Sequence, residues 1–151
     1  MDILSGISPD SYTHVACSIG TGTMFTGIAC SMNNSQQLLG IPAIKGFEGL
    51  EPAYQQMIDL QVNPPAIEYF PHFHFGGFAR KNSLLINFMN RVFQLSSIPT
   101  DIVYTGKLFF ACTELAKNRH LPSGSRLLIV HSGGLQGNSS LKPGILDFND
   151  T

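Results

Sequence analysis

The residues best suited to chemistry fall in a few short stretches. SIGTGTMFTG, Ser18–Gly27, sets Gly20 and Gly22 among Thr21 and Thr23, behind an apolar run. Such a loop can close its backbone N–H groups on an anion, with the hydroxyls as added donors and the following helix dipole favouring negative charge. VYTGK, Val103–Lys107, precedes a helix and sets a phenol beside a hydroxyl at Tyr104 and Thr105. SGGLQGN, Ser132–Asn138, is a second glycine-rich loop, preceded by His131. His72-Phe73-His74 places imidazoles on alternate residues.

Each stretch also has a plain structural reading. A P-loop needs Gly-Lys-Ser/Thr opening the helix, but Thr23 follows Gly22 and no lysine is near. A dinucleotide fingerprint needs G-x-G-x-x-G with an acidic residue about 20 positions on. Here the glycines are Gly20, Gly22 and Gly27, and no acidic residue lies between Asp10 and Glu48. A monophosphate cradle and a tight strand–helix turn with a threonine N-cap both remain. The histidine pair supplies too few ligands for a metal and reads as packed among aromatics, so no metal is expected. His131 and Ser132 adjoin in sequence, which is not a nucleophile–base geometry, and no G-x-S-x-G is present. Tyr104 alone reads as a structural aromatic, and Thr105 as an N-cap.

The elements that must position these residues follow from periodicity. His14–Ile19 is a short apolar run, expected as a buried strand ending at the first glycine loop. Met24–Met32 has helical spacing. Gln37–Ile44 reads as a strand interrupted by Gly40 and Pro42, and Glu48–Gln61 as a helix with Pro52 in its first turn. Ala66–Phe70 reads as a strand and Pro71–Ala79 as a loop. Ser83–Leu95 and Gly106–Lys117 are amphipathic helices, and Leu127–His131 is a continuous apolar strand suited to a parallel sheet. The polar stretch 139–151 is expected to be a loosely held tail. Strands alternating with helices predict one α/β domain over 1–151, a three-layer, mostly parallel sheet with helices on both faces. Both glycine loops then fall beyond the C-terminal strand ends, where such sheets bind ligands.

The chain has 151 residues with a net charge of −1, and no basic run points to nucleic acid. No signal peptide or membrane-length apolar run is seen, so the cytoplasm is the expected location. Cys17, Cys30 and Cys112 are far apart in apolar segments and are expected to be buried free thiols. With 13% charged residues, part of the surface is expected to meet a partner.

Taken together, these segments resemble one family. IPTDIVYTGKLFFACTELAKNRHLPSGSRLLIVHSGGLQGN, Ile98–Asn138, resembles the C-terminal part of the 1-aminocyclopropane-1-carboxylate deaminase/D-cysteine desulfhydrase family. CSIGTGTMFTG, Cys17–Gly27, is similar to its phosphate loop. LLGIPAIKG, Leu38–Gly46, and HFGGFARKNSLLINFMNRV, His74–Val92, resemble the segments between. The resemblance implies a tryptophan synthase β-like fold (fold type II), pyridoxal 5'-phosphate as cofactor, and a lyase or hydrolase releasing ammonia and a 2-oxo acid from a small amino acid. It implies that Gly20, Thr21, Gly22 and Thr23 hold the cofactor phosphate. Tyr104 would sit against the pyridine ring as the catalytic residue, Thr105 would face the pyridine nitrogen, and Ser132 and Gly133 would line the pocket near the substrate carboxylate.

Departures from the pattern carry information too. Thr105 stands where deaminase members often have glutamate, and Phe78 where a tyrosine assists ring opening. Both count against ring opening, so β-elimination from a D-amino acid such as D-cysteine is expected at least equally. Met24 replaces a small hydroxyl residue. The family's Schiff-base lysine lies upstream of the phosphate loop, and Lys45, Lys81, Lys107, Lys117 and Lys142 match no such motif. The chain therefore resembles the C-terminal half of such an enzyme, inactive alone. A missing N-terminal half or a homo-oligomer is the expected partner. The alternative is a non-catalytic fragment that binds phosphate or associates with another chain.

Overall fold

The computed structural model describes residues 4–148. Strands β1 (His14–Ile19), β2 (Gln37–Pro42), β3 (Ala66–Tyr69) and β4 (Leu127–Ile129) form a sheet in the order β3-β2-β1-β4. Every pairing is parallel, with His14 opposite both Gln37 and Leu127. Helices α1 (Thr23–Cys30), α2 (Pro52–Asp59), α3 (Ser83–Ser96) and α4 (Thr105–Lys117) make the crossovers.

Alternation along β1 divides the core. Val15, Cys17 and Ile19 point to one face and pack with Phe25, Ile28 and Ala29 of α1 and Ile58 of α2. Ala16 faces the other side, where Leu39 and Ile41 of β2 meet Leu108, Ala111, Cys112 and Leu115 of α4. Leu85 and Met89 of α3 build a further cluster with Ile102 and Val103 at the approach to α4. The expected α/β layers are thus present, with a central strand buried on both faces.

Gly40 does not interrupt β2 but allows it to pack. A Cβ there would lie 2.7 Å from Ile19, 2.8 Å from Tyr69 and 2.9 Å from Phe25, so no side chain fits. The stretch expected to hang loosely is a correction. Through Phe148 it is packed, with Leu141 and Leu146 buried beside α3. Asn90 donates to the Ile145 carbonyl and accepts from the Asp147 N–H, and Phe148 stacks near Phe93. Polar residues there alternate with Leu141, Ile145, Leu146 and Phe148, whose burial offsets ordering. Residues 149–151 lie outside the described part.

Cys17 and Cys112 are buried, and burial pushes each thiol up to about 12. Cys30 is exposed, contrary to expectation, because the end of α1 emerges beside α2. Among the described residues, no helix is long and apolar enough to cross a membrane, and no histidine, cysteine and carboxylate group is arranged to hold a metal ion.

Candidate functional site

β1 ends at Ile19, and the chain turns at Gly20–Gly22 into α1. Gly22 is the N-cap of α1, at φ +101°, where a side chain would be strained and its Cβ would come within 3.0 Å of Tyr54. The expected threonine N-cap is absent: Thr23 is already helical, and no side chain caps the helix. The first intrahelical bond runs from Thr26 N–H to the Gly22 carbonyl. The N–H groups of Thr23, Met24 and Phe25 therefore precede the ladder, with no intrahelical acceptor.

Met24 and Phe25 are among the residues that line a cavity of about 210 Å³, with Ser18, Gly20, Thr21, Gly22, Tyr104 and Ser132. It lies at the C-terminal ends of β1 and β4, as in other parallel sheets with a ligand crevice. Thr23 stands at its rim, its hydroxyl 2.8 Å from the Tyr54 hydroxyl and 3.3 Å from that of Thr21. Ser18 donates to the Tyr104 carbonyl at 3.1 Å, tying β1 to the start of α4. The Tyr104 ring packs on Gly20, where a Cβ would lie 3.2 Å from its ring and hydroxyl oxygen.

A second cavity, of about 230 Å³, shares Tyr104 as a wall and adds Phe78, Asp101, Val103, Gly134, Gln136 and Gly137. Phe78 meets Tyr104 edge-on, at 6.1 Å between ring centroids.

The start of α4 is built differently. Asp101 is fully buried, and its carboxylate accepts from the N–H groups of Val103, Tyr104 and Thr105 and from the Thr105 hydroxyl, at 2.6–2.9 Å. Asn138 holds this segment from the far loop, donating to the Thr100 carbonyl and accepting from Ile102 N–H. Thr105 is therefore placed otherwise than expected. It is fully buried, its hydroxyl is committed to Asp101, and it lines neither cavity. Asp101 and Asn138 were missed by sequence reasoning. Asp-x-x-x-Thr ahead of a helix was the available capping signal.

His131 is a loop organiser. Its Nε2–H donates to the Pro99 carbonyl at 2.8 Å, which leaves Nδ1 to accept from Gly133 N–H. Gly133, at φ +79°, is held by this bond and does not line the first cavity, whereas Ser132 does. His74 likewise accepts from Gly76 N–H, and His72 packs against Phe70 and Phe73. Of the residues singled out in the sequence, Gly20, Thr21, Gly22, Tyr104 and Ser132 converge on one cavity, with Thr23 at its edge.

This chain is 29% identical over 80 residues, 53% of its length, to a Pyrococcus horikoshii protein named as a candidate 1-aminocyclopropane-1-carboxylate deaminase. The crystal structure of an ACC deaminase homologue superposes on 89% of the chain with a TM-score of 0.73 at 20% identity. The family resemblance is borne out. An O-acetylserine-dependent cystathionine β-synthase from Helicobacter pylori shares the fold more loosely, over 93% of this chain with a TM-score of 0.56 at 16% identity. These likenesses show the tryptophan synthase β-like fold expected for the family. No family model matches the sequence. The chain spans 23% of the Pyrococcus protein and 43% and 46% of the two solved chains.

Proposed function

We propose that this chain is the phosphate-holding part of a pyridoxal 5'-phosphate-dependent deaminase or lyase that releases ammonia and a 2-oxo acid from a small amino acid. The observation that carries the proposal is the uncapped N-terminus of α1. Met24 and Phe25 of the helix start, two close glycines and Thr21 line one cavity, with the Thr23 hydroxyl 3.3 Å from that of Thr21. A phosphate monoester fits such a donor set, because N–H groups and the helix dipole act on it together. The likeness to the deaminase homologues supports pyridoxal phosphate over other monoesters.

Pyridoxal phosphate, when bound, supplies an electron sink for charge developing at Cα of an amino acid. This chain would hold its phosphate at Gly20–Thr23. The phenol of Tyr104, on the same cavity wall, is placed to orient a substrate and to give or take a proton at its oxygen. Ser132, across the cavity, offers a hydroxyl to a substrate carboxylate. Phe78 brings no hydroxyl beside Tyr104, which favours β-elimination from a D-amino acid such as D-cysteine over ring opening. The remaining part of the relatives' length, an N-terminal half, would supply the anchoring lysine.

Equilibrium dialysis of the full chain against pyridoxal phosphate and against unphosphorylated pyridoxal tests the cradle. At least tenfold preference for the phosphorylated form is expected, and equal retention would overturn the proposal. Borohydride reduction followed by mass spectrometry should find no modified lysine in this chain. A single stoichiometric site, at Lys45 or Lys107 for instance, would give the chain the anchoring role as well.

A further inference from the structure

The buried amine of Lys107 takes no part in the cradle, yet its position is costly. It is 1% exposed and lies in the first turn of α4, where the helix dipole opposes a cation. Burial pulls it down to about 8, against the attraction of Asp101. A cation in such a place must gain something specific. Its partners are backbone carbonyls on two separate loops: Gly77 at 2.7 Å and Ala43 at 3.4 Å.

Gly77 belongs to a strained segment. Phe75 at φ +53°, Gly76 at +96°, Gly77 at +119° and Ala79 at +52° are all left-handed, and two of them carry side chains. Left-handed backbone in a non-glycine residue is strained and persists only where surroundings enforce it. Internal bonds help, from Gly77 N–H to the His74 carbonyl and from Arg80 N–H to the Gly77 carbonyl. These lie within the segment and do not fix it to the sheet. Lys107 does. The residue after Gly77 is Phe78, which is 59% exposed yet meets Tyr104 edge-on at 6.1 Å.

We propose that Lys107 is a positioning residue: by clamping the Gly77 and Ala43 carbonyls together, it holds Phe78 against Tyr104 and so sets the wall shared by the two cavities. Tyr104 is thereby braced from both sides, by Gly20 and by Phe78. The clamp itself does not depend on what the cavities bind. Its effect on a substrate rests on the function proposed above.

The test places 4-fluorophenylalanine at position 78 of the full chain and reads its fluorine resonance. In the unsubstituted protein a single line displaced from the free amino acid value is expected, and Tyr104→Leu should abolish the displacement. Lys107→Met preserves the length of the side chain but removes the ammonium. It should lose more than half of the displacement, or broaden the line, while a fluorine probe at Phe148, paired with Phe93, stays unchanged. Lys107→Arg, which retains charge and donors, should restore a larger displacement than Lys107→Met. An undisplaced line in the unsubstituted protein would overturn the clamp, whether or not the variants fold. So would an unchanged line in a folded Lys107→Met. The dialysis result with pyridoxal phosphate is independent of these outcomes, so a failed clamp and a failed cradle are told apart.

Discussion

The starts of α1 and α4 lie beside one another at the same end of the sheet, joined by the Ser18–Tyr104 hydrogen bond, and they solve the same problem in opposite ways. Every helix start leaves N–H groups without acceptors. At α4, Asp101 takes up the first two helical N–H groups, its carboxylate accepting from Thr105 and its backbone carbonyl from Gly106, and the carboxylate also accepts from Val103 and Tyr104 N–H just ahead of the helix, so that end is mostly closed. At α1, the N-cap is a glycine and no side chain accepts anything. Helix α3 resembles α4, with Asn82 accepting from Leu85. Helix α2, like α1, has no side-chain cap, but of the two only α1 contributes residues to the first cavity. On the function proposed above, the open start at the cavity would serve as the binding surface and the start held by Asp101 as its support.

The sharpest way to break this contrast is at Asp101. Asp101→Ala would strip the cap from α4 and leave buried donors without acceptors. A loss of about 3–5 kcal/mol in urea unfolding is expected. A loss under about 1 kcal/mol would mean that α4 does not depend on its cap in the way α1 dispenses with one. Gly22→Ala comes next. It forces a side chain into left-handed backbone against Tyr54, and about 1–3 kcal/mol should be lost together with retention of pyridoxal phosphate.

Alkaline titration separates the closed region from the core. Cys17 and Cys112 rise from 9.0 to about 12, so they stay protonated when folded, and their contribution is lost as pH climbs above 9.0. Lys107 works in the other direction. Its folded value is lowered from 10.5 to about 8, so the unfolded chain binds more protons in that window and stability gains as pH rises through it. Two thiols oppose one amine, so stability should fall above 9.0, and it should fall more steeply in Lys107→Met. Equal slopes would show that the amine at the α4 start is not desolvated. The smallest effect on stability is expected at the exposed rim. Thr23→Val should cost under about 0.5 kcal/mol yet weaken retention of pyridoxal phosphate several-fold. The opposite pattern, a stability loss with retention intact, would make Thr23 a structural residue.

The open helix start was more legible than the closed one. Gly20, Gly22 and their threonines are local, and their spacing alone excluded nucleotide loops. A buried strand could be read at His14–Ile19 and a parallel one from the apolar run Leu127–His131, of which the strand takes Leu127–Ile129. The support was harder to see because its contacts are distant. Asn138 reaches the Thr100–Ile102 backbone from another loop, and Lys107 reaches Ala43 and Gly77 from α4. No periodicity encodes such pairings. Thr105 illustrates the difficulty, since a hydroxyl beside Tyr104 invites a functional role until Asp101 is seen to hold it. The stretch from Ser139 to Phe148 misled for a simpler reason: its polar residues hide apolar ones spaced to meet α3.

The pairing of β4 with β1 has a consequence for how the site comes into being. His14 and Leu127 stand opposite each other although most of the chain separates them. Long-range parallel contacts form slowly, because loop entropy must be lost before they stabilise anything. Gly20 and Ser132 follow those same strands, so the cavity is completed only when the last strand docks. A ligand gripping both loops would favour the fully docked sheet over earlier, partly folded forms by mass action. Occupancy would then report completed assembly, and hydrogen exchange at Leu127–Ile129 should slow most when the cavity is filled.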